Sequence, residues 1–246
     1  MNNKASGIFA YLIDCKHAVI MDVEGTTAVR TAEVHSTRVM LDRVEARNHI
    51  KPDRLSGDTA YGSAEMLNWL VNERGIEPHI PVFDKSFRKD GIFERSDFTF
   101  DAEDDRYVCP AGRSLRRYRV AGRAAKAKPP RDGLYRYRAR KTDCDDCPLK
   151  HRCCPKEPMR KILRSVHEEA RDVARRIMAS EAYVTSRRER KKVEMLFAHL
   201  KRILKLDRLR LRGPNGAKDE FLLAATAQNL RKLAKLSIHG ALPAAG

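Results

Sequence analysis

The sequence predicts an α/β protein whose chain is interrupted by a cysteine-rich segment. Up to residue 82, short apolar runs alternate with stretches of helical period, as strand and helix do in α/β folds. From Phe83 to Pro158, Cys, Arg, Pro and Asp replace periodic apolar residues. Beyond that segment the helical period returns and runs to Leu236. The expected division is therefore 8–82 as the first part of a core, 83–158 as an insertion, and 159–238 as a helical second part.

Each element follows from its own pattern. Tyr11-Leu-Ile and residues 18–23, separated by Asp14-Cys-Lys-His17, read as a β-hairpin. From Thr31 to His49, Val34, Leu41 and Val44 recur at helical spacing among Arg38 and Glu45, and Pro52 stops the pattern. A strand and turn then cover Arg54-Leu-Ser-Gly-Asp58-Thr-Ala-Tyr-Gly-Ser63. A helix over Ala64 to Glu73 follows, with Met66, Leu67, Leu70 and Val71 in register and Gly75 as its stop. Residues 76–82 form a second short strand, whose prolines place it at a sheet edge or strand end. Helical period resumes from Ser165 to Ser180 and again from Ser186, until Arg212-Gly-Pro-Asn-Gly216 breaks it. A last amphipathic helix spans Asp219 to Leu236 on Phe221, Leu222, Ala225, Leu230 and Leu233.

The charge balance points to a polyanionic partner. Lys and Arg number 50 against 33 Asp and Glu in 246 residues, a net charge of +17. The cations cluster in 113–140 and 187–212, which favours DNA or RNA over a merely basic surface. No apolar run reaches the roughly 18 residues of a membrane span, and the first residues carry no signal-peptide apolar segment. The expected location is cytoplasmic, with no membrane partner. In that reducing setting, the unevenly spaced six cysteines argue for metal over disulfides.

Cys144-x2-Cys147-x5-Cys153 supplies three thiols within ten residues, and Cys109-Pro-Ala-Gly offers a fourth from a separate knuckle. Four thiolates make a closed tetrahedral zinc site, structural in role, for a segment with little apolar core of its own. Cys154 rivals Cys153 for the third position, His151 is a substitute ligand, and free buried thiols are the plain alternative. Cys15 lies on the hairpin and packs there.

The stretch Ser186-Arg-Arg-Glu-Arg-Lys-Lys-Val-Glu194-Met-Leu-Phe-Ala-His-Leu-Lys201 is helical and cationic. Leu196, Phe197, Leu200, Ile203 and Leu204 form an apolar stripe, and Arg190, Glu194 and Lys201 line its edge. Glu194 between two cations is a candidate metal ligand, against the plain reading of an i,i+4 salt bridge. Asp58 stands at a strand end, where side chains meet the crevice above an α/β sheet, or else caps a turn. Taken together, two carboxylates from distant segments can hold divalent ions for phosphodiester displacement.

At these residues the chain resembles the DDE-type transposases of bacterial insertion sequences, in the group with a cysteine-rich insertion. Asp58-Thr-Ala-Tyr-Gly-Ser is similar to the stretch bearing their second catalytic acid, and Arg190-x3-Glu194-x6-Lys201 to their third acid with its DNA-handling cations. Where the family motif has a Tyr three residues before the Arg, this chain has Arg187, with Tyr183 nearby. The resemblance implies an RNase H-like core, with Cys109, Cys144, Cys147 and Cys153 in a zinc-ribbon-like insertion. It implies magnesium or manganese at Asp58 and Glu194, zinc at the cysteines, and DNA contacts from Arg187, Arg190, Lys191 and Lys201.

The family's first catalytic Asp lies on a strand before the hairpin, for which residues ahead of Tyr11 leave no room; Asp14 and Asp22 fall at hairpin positions. The expectation is thus a C-terminal portion of a transposase, impaired in metal-dependent cleavage and strand transfer, with DNA and a full-length or second copy as partners. The competing expectations are a non-catalytic zinc-stapled nucleic-acid-binding remnant or inhibitor, and a metal-dependent nuclease without strand transfer.

Overall fold

The structure, a computed structural model, describes residues 7–27, 30–84, 90–118, 130–202, 210–211 and 213–238. It is mixed α/β. Strands β1 (Gly7–Asp14) and β2 (Val19–Thr27) form an antiparallel hairpin, longer than its apolar runs suggested and bulged between Leu12 and Ile13. The carboxylate of Asp14 closes the turn by accepting from the Lys16 and His17 amides at 3.0 and 3.2 Å. Helix α1 (Arg30–Asn48) packs on both strands, burying Met40, Leu41 and Val44.

Strand β3 (Arg54–Ser56) is followed by a 3-10 turn over Thr59–Tyr61 and by α2 (Ala64–Asn68). Ser63 caps α2 by accepting from the Met66 amide at 3.2 Å. The same helix continues as a π-helical turn, Trp69–Arg74, and ends at Gly75 in the left-handed region, φ +59°. Strand β4 (Glu77–His79) pairs in parallel with β3. The core here is Leu41, Met66, Leu67, Leu70, Ile76 and Ile80, closed by Ala170 and Ala174 from a later helix.

The segment after 83 has a core of its own, contrary to the expectation from composition. Strands β5 (Thr99–Asp101), β6 (Arg106–Val108), β7 (Ser114–Arg117) and β8 (Leu134–Arg138) form an antiparallel sheet in chain order. Helices α3 (Lys141–Asp145) and α4 (Lys150–Cys153) follow, and β9 (Lys161–Ser165) completes the sheet beside β8. Phe98, Tyr107, Leu115, Tyr137 and Ile162 fill one face together with Cys144, Cys153 and Cys154. Aromatics alternate with arginines on strands of three to five residues, too short for periodicity to register.

Helices α5 (Glu168–Met178), α6 (Glu181–Arg202) and α7 (Gly213–Ile238) complete the chain, so the Gly-Pro-Asn-Gly stretch starts a helix and Glu181 to Thr185 already belong to α6. The expected apolar face of α7 is only partly right. Phe221, Ala224 and Ala225 pack on Ile20 and Val23 of β2, whereas Leu222, Leu230 and Leu233 are exposed. Close approach of helix to strand favours the small side chains over the large ones.

One buried carboxylate joins the inserted sheet to the helices. Glu168, 1% exposed, receives Arg95 at 2.6 Å and Arg171 and Arg175 at 2.9 Å, and Asp84 pairs with Arg171 and Arg175 alongside. Burial pushes the Glu168 carboxyl up, but the Arg95 and Arg171 charges and their hydrogen bonds outweigh it, and the net direction is down. A lowered carboxylate adds stability that is complete above its unfolded value, about 4.3, and is lost as pH falls through the folded value. Glu168→Gln is expected to cost about 3 kcal/mol near neutral pH by removing the buried charge that three guanidinium groups share, leaving Asp84 and Asp172 to compensate them in part. Urea unfolding at pH 7 and pH 3 should show the deficit shrinking at the lower pH.

Candidate functional site

Helix α6 carries the cationic motif across the ends of β3 and β4, and polar contacts on successive turns hold it there. Ser186, 2% exposed, shares a 2.8 Å hydrogen bond with Nδ1 of buried His79 on β4. Glu189 accepts from Arg54 of β3 at 2.9 Å. Arg190 donates through Nη1 to the Gly57 carbonyl at 2.8 Å. Positions 186, 189, 190 and 193 share one face of a 3.6-residue helix, and Val193 is buried there. Arg187 and Lys191 fall on the outer face and are exposed, while the side chains of Leu196, Phe197, Leu200 and Lys201, together with residues Ile203 and Leu204, lie outside the described residues.

The Arg190 contact brings the two candidate acids to one place. Gly57 directly precedes Asp58, and Glu194 sits one turn along α6 with Oε1 3.7 Å from Nε of Arg190. Asp58, Arg190 and Glu194 all line one cleft of about 890 Å³. Asp58 lies two residues past β3 and is exposed; one carboxylate oxygen accepts from the Ala60 amide at 2.7 Å, capping the 3-10 turn. The capping role and a ligand role are compatible, because a carboxylate offers about four lone-pair sites. The Glu194 side chain is 61% exposed. The i,i+4 ion pair of the plain reading is present, and at that distance and exposure it is weak.

The cleft separates two open sheet edges. Among the described residues β1 pairs only with β2 and β3 only with β4, and residues of both β1 and β3 line the cleft. Met40 and Val44 of α1 line it from one side, Val193 of α6 from the other. Cys15, just beyond the end of β1, lies within electrostatic reach of Arg54 at the start of β3 and of Glu189 on α6.

Asp14 and Asp22 are both engaged. Asp14 holds the hairpin turn and His17 at 2.7 Å; burial raises its carboxyl, the His17 and backbone bonds lower it, and the net direction is down. Asp22 is 8% exposed and takes Nε of Arg43 at 2.7 Å.

The cysteines fall in the inserted sheet's core. Cys109 begins a knuckle in which its Sγ accepts from the Arg113 amide at 3.3 Å, Gly112 donates to the Cys109 carbonyl at 2.8 Å, and Gly112 has φ +73°. Cys153 and Cys154 are buried beside each other; Cys154 also meets Cys144, and Cys109 lies within electrostatic reach of Cys153. Burial and the neighbouring Cys154 push the Cys153 thiol up to about 12. Cys147 is half-buried, and His151 is exposed on α4. Among the described residues no three His, Cys, Asp or Glu side chains are grouped as a metal site.

Two residues of the site carry no motif a reader would single out. His79 holds α6 through Ser186, and Gly62 sets the Asp58 turn. Gly62 accepts from the Phe83 amide at 2.9 Å, and a Cβ there would stand 2.0 Å from the Pro81 carbonyl oxygen and 2.7 Å from the Phe83 nitrogen. The glycine in Asp-Thr-Ala-Tyr-Gly is the only sequence sign of this close approach. Gly62→Ala is expected to destabilise the chain by about 3 kcal/mol, since backbone atoms must move apart. Hydrogen exchange should locate the loosening at residues 57–63 and 81–83; protection unchanged there would contradict the packing argument.

Comparison with known proteins supplies one match. The family described as "Transposase DDE domain" matches residues 108–234, just over half of the chain. No curated protein and no solved structure matches. Among the described residues no helix is long and apolar enough to cross a membrane.

Proposed function

We infer from membership of the transposase DDE domain family, to which this chain belongs, that it acts on DNA through a carboxylate site at Asp58 and Glu194. The observation carrying this reading is the Arg190 hydrogen bond to Gly57, which ties the turn bearing Asp58 to the helix bearing Glu194 at one cleft. Magnesium or manganese held by such carboxylates supplies positive charge at the attacking and leaving oxygens of a phosphodiester. Asp58 and Glu194 suit that role: each is an oxygen donor facing the cleft, with a lone pair not taken by its present contact. The cations set on the outer face of α6, Arg187 and Lys191, hold the DNA backbone, with Lys201 further along and Arg190 at the acids themselves.

The RNase H-like reading is supported by the open edges. A strand laid between β1 and β3 gives a continuous mixed sheet in the order β2, β1, added strand, β3, β4, and lies under Asp58 and Glu194. That is the position the family resemblance assigns to the strand of the first acid, since Asp14 and Asp22 are committed elsewhere. The test is an N-terminal extension supplying an Asp-bearing strand, assayed for manganese-dependent cleavage and joining of transposon-end DNA. Cleavage is expected to appear with the extension and to fall at least 100-fold in Asp58→Asn or Glu194→Gln, on the scale of losing a positioned metal ligand. Full activity in either substitution excludes the site. DNA binding with no cleavage in any form favours the non-catalytic alternative.

The second metal of this reading is a structural zinc held by Cys109, Cys144, Cys147 and Cys153, with Cys154 as the alternative to Cys153. The knuckle at Cys109 and the burial of Cys144, Cys153 and Cys154 in one core support it. Protein purified without chelator should carry one zinc per chain by elemental analysis, lost in Cys144→Ser. Comparing Cys153→Ser with Cys154→Ser identifies the fourth ligand, and zinc-free protein with an unchanged melting temperature removes the proposal.

A further inference from the structure

The face of the inserted sheet opposite its aromatic core carries a row of cations that folding does not explain. Arg106, Arg116, Arg138 and Lys161 occupy directly opposed positions on β6, β7, β8 and β9. Like charges at opposed positions on neighbouring strands weaken the pairing. The outer members are compensated: Arg106 by Asp101 at 3.0 Å and Asp104 at 2.9 Å, and Lys161 by Glu157 at 3.0 Å. The central pair is not. Among the described residues no carboxylate pairs with Arg116 or Arg138, and both are exposed.

These two arginines open into a second cleft of about 840 Å³, separate from the one at Asp58. Arg113, Arg140 and Lys141 also line it, and Asp143 is its single acid among the lining residues. Arg113, Arg140 and Lys141 are exposed and likewise have no ion-pair partner among the described residues. The Arg138 guanidinium lies 3.7 Å above the ring of Tyr118, itself 41% exposed, which holds the charge out from the sheet.

We propose that this face is a second DNA-binding surface, in which the phosphate backbone compensates the Arg116–Arg138 pair. The inference rests on DNA being the partner of the chain, and adds a contact distant in sequence from the acids and from α6. Six cations line one concavity, Arg117 among them paired with Asp105 at 3.4 Å, and anions entering it relieve the repulsion between the opposed arginines. No base-reading pattern accompanies them, so this surface positions the duplex and does not select its sequence.

The test compares full-chain variants in a duplex-binding titration at several salt concentrations. Arg116→Gln/Arg138→Gln is expected to lower affinity about 10-fold or more at 0.1 M salt and to reduce the salt slope by about two. Arg131→Gln/Lys156→Gln, removing two exposed cations elsewhere on the insertion, should change affinity less than about threefold. Relief of the repulsion predicts an equal or higher melting temperature for Arg116→Gln/Arg138→Gln at low salt. Should that variant fold poorly, Arg140→Gln/Lys141→Gln, outside the strands, carries the same expected loss. Equal losses in the cleft and control variants, or no loss in the cleft variants, overturn the proposal while leaving DNA as partner. A wild-type chain that binds no DNA overturns both.

Discussion

Directional hydrogen bonds from successive turns of helix α6 tie it to β3 and β4, and the geometry of the acids depends on them. Ser186, Glu189 and Arg190 each reach a different partner, on β4, on β3 and on the carbonyl before Asp58. A hydrogen bond to a charged group contributes about 1.5–3 kcal/mol and, unlike burial of a leucine, fixes direction as well as distance. Glu194 is therefore placed relative to Asp58 by the backbone of α6, which Arg190 ties to the turn bearing Asp58. One guanidinium thus has two tasks, locking the β3 turn and facing the second acid, which accounts for an arginine here in place of a lysine: a planar fork can address two acceptors at once.

The inserted sheet is anchored by a similar device. Glu168 sits at the start of α5 and gathers one arginine from the insertion and two from its own helix. Acid in the first helical turn also suits the helix dipole. Because the carboxylate is buried, the link is strong in its pairing and intolerant of losing a member. The insertion is thereby fixed to α5, and α5 leads directly into α6, so two surfaces distant in sequence share one rigid support.

Much of this was legible in the chain. The turn after β3, α1, the α2 unit ending at Gly75 and the α/β class follow from apolar period and stop residues, and Asp58 and Glu194 could be named from the company they keep. The five-stranded sheet could not. Its strands alternate aromatic and arginine over three to five residues, and composition alone made them look coreless. The apolar face of α7 was read only in part: Phe221 and Ala225 are buried as expected, but β2 admits Ala224 beside them and leaves Leu222, Leu230 and Leu233 outside. His79 was invisible, and Gly62 showed only as a glycine within its motif, because their roles depend on contacts between segments, which no local spacing encodes. Cys154 remained an alternative on spacing, and burial with Cys144 and Cys153 strengthens its claim without deciding it.

Net charge by itself does not distinguish cations that hold the fold from cations that await a partner; pairing does. Arg43, Arg54, Arg95, Arg171 and Arg175 each meet a carboxylate and are consumed in joining elements. Arg187 and Lys191 on α6, and Arg116 and Arg138 on the inserted sheet, meet none among the described residues, yet they stand on rigid elements where long side chains could have been shorter and neutral. Keeping them costs the fold something, through self-repulsion and through opposed like charges on paired strands. A cost borne in the isolated chain and removed by a polyanion is a coupling between folding and binding. If the proposed surfaces receive DNA, the unpaired cations described on α6 and on the inserted sheet are where that coupling acts, and binding should stabilise the chain as well as occupy it.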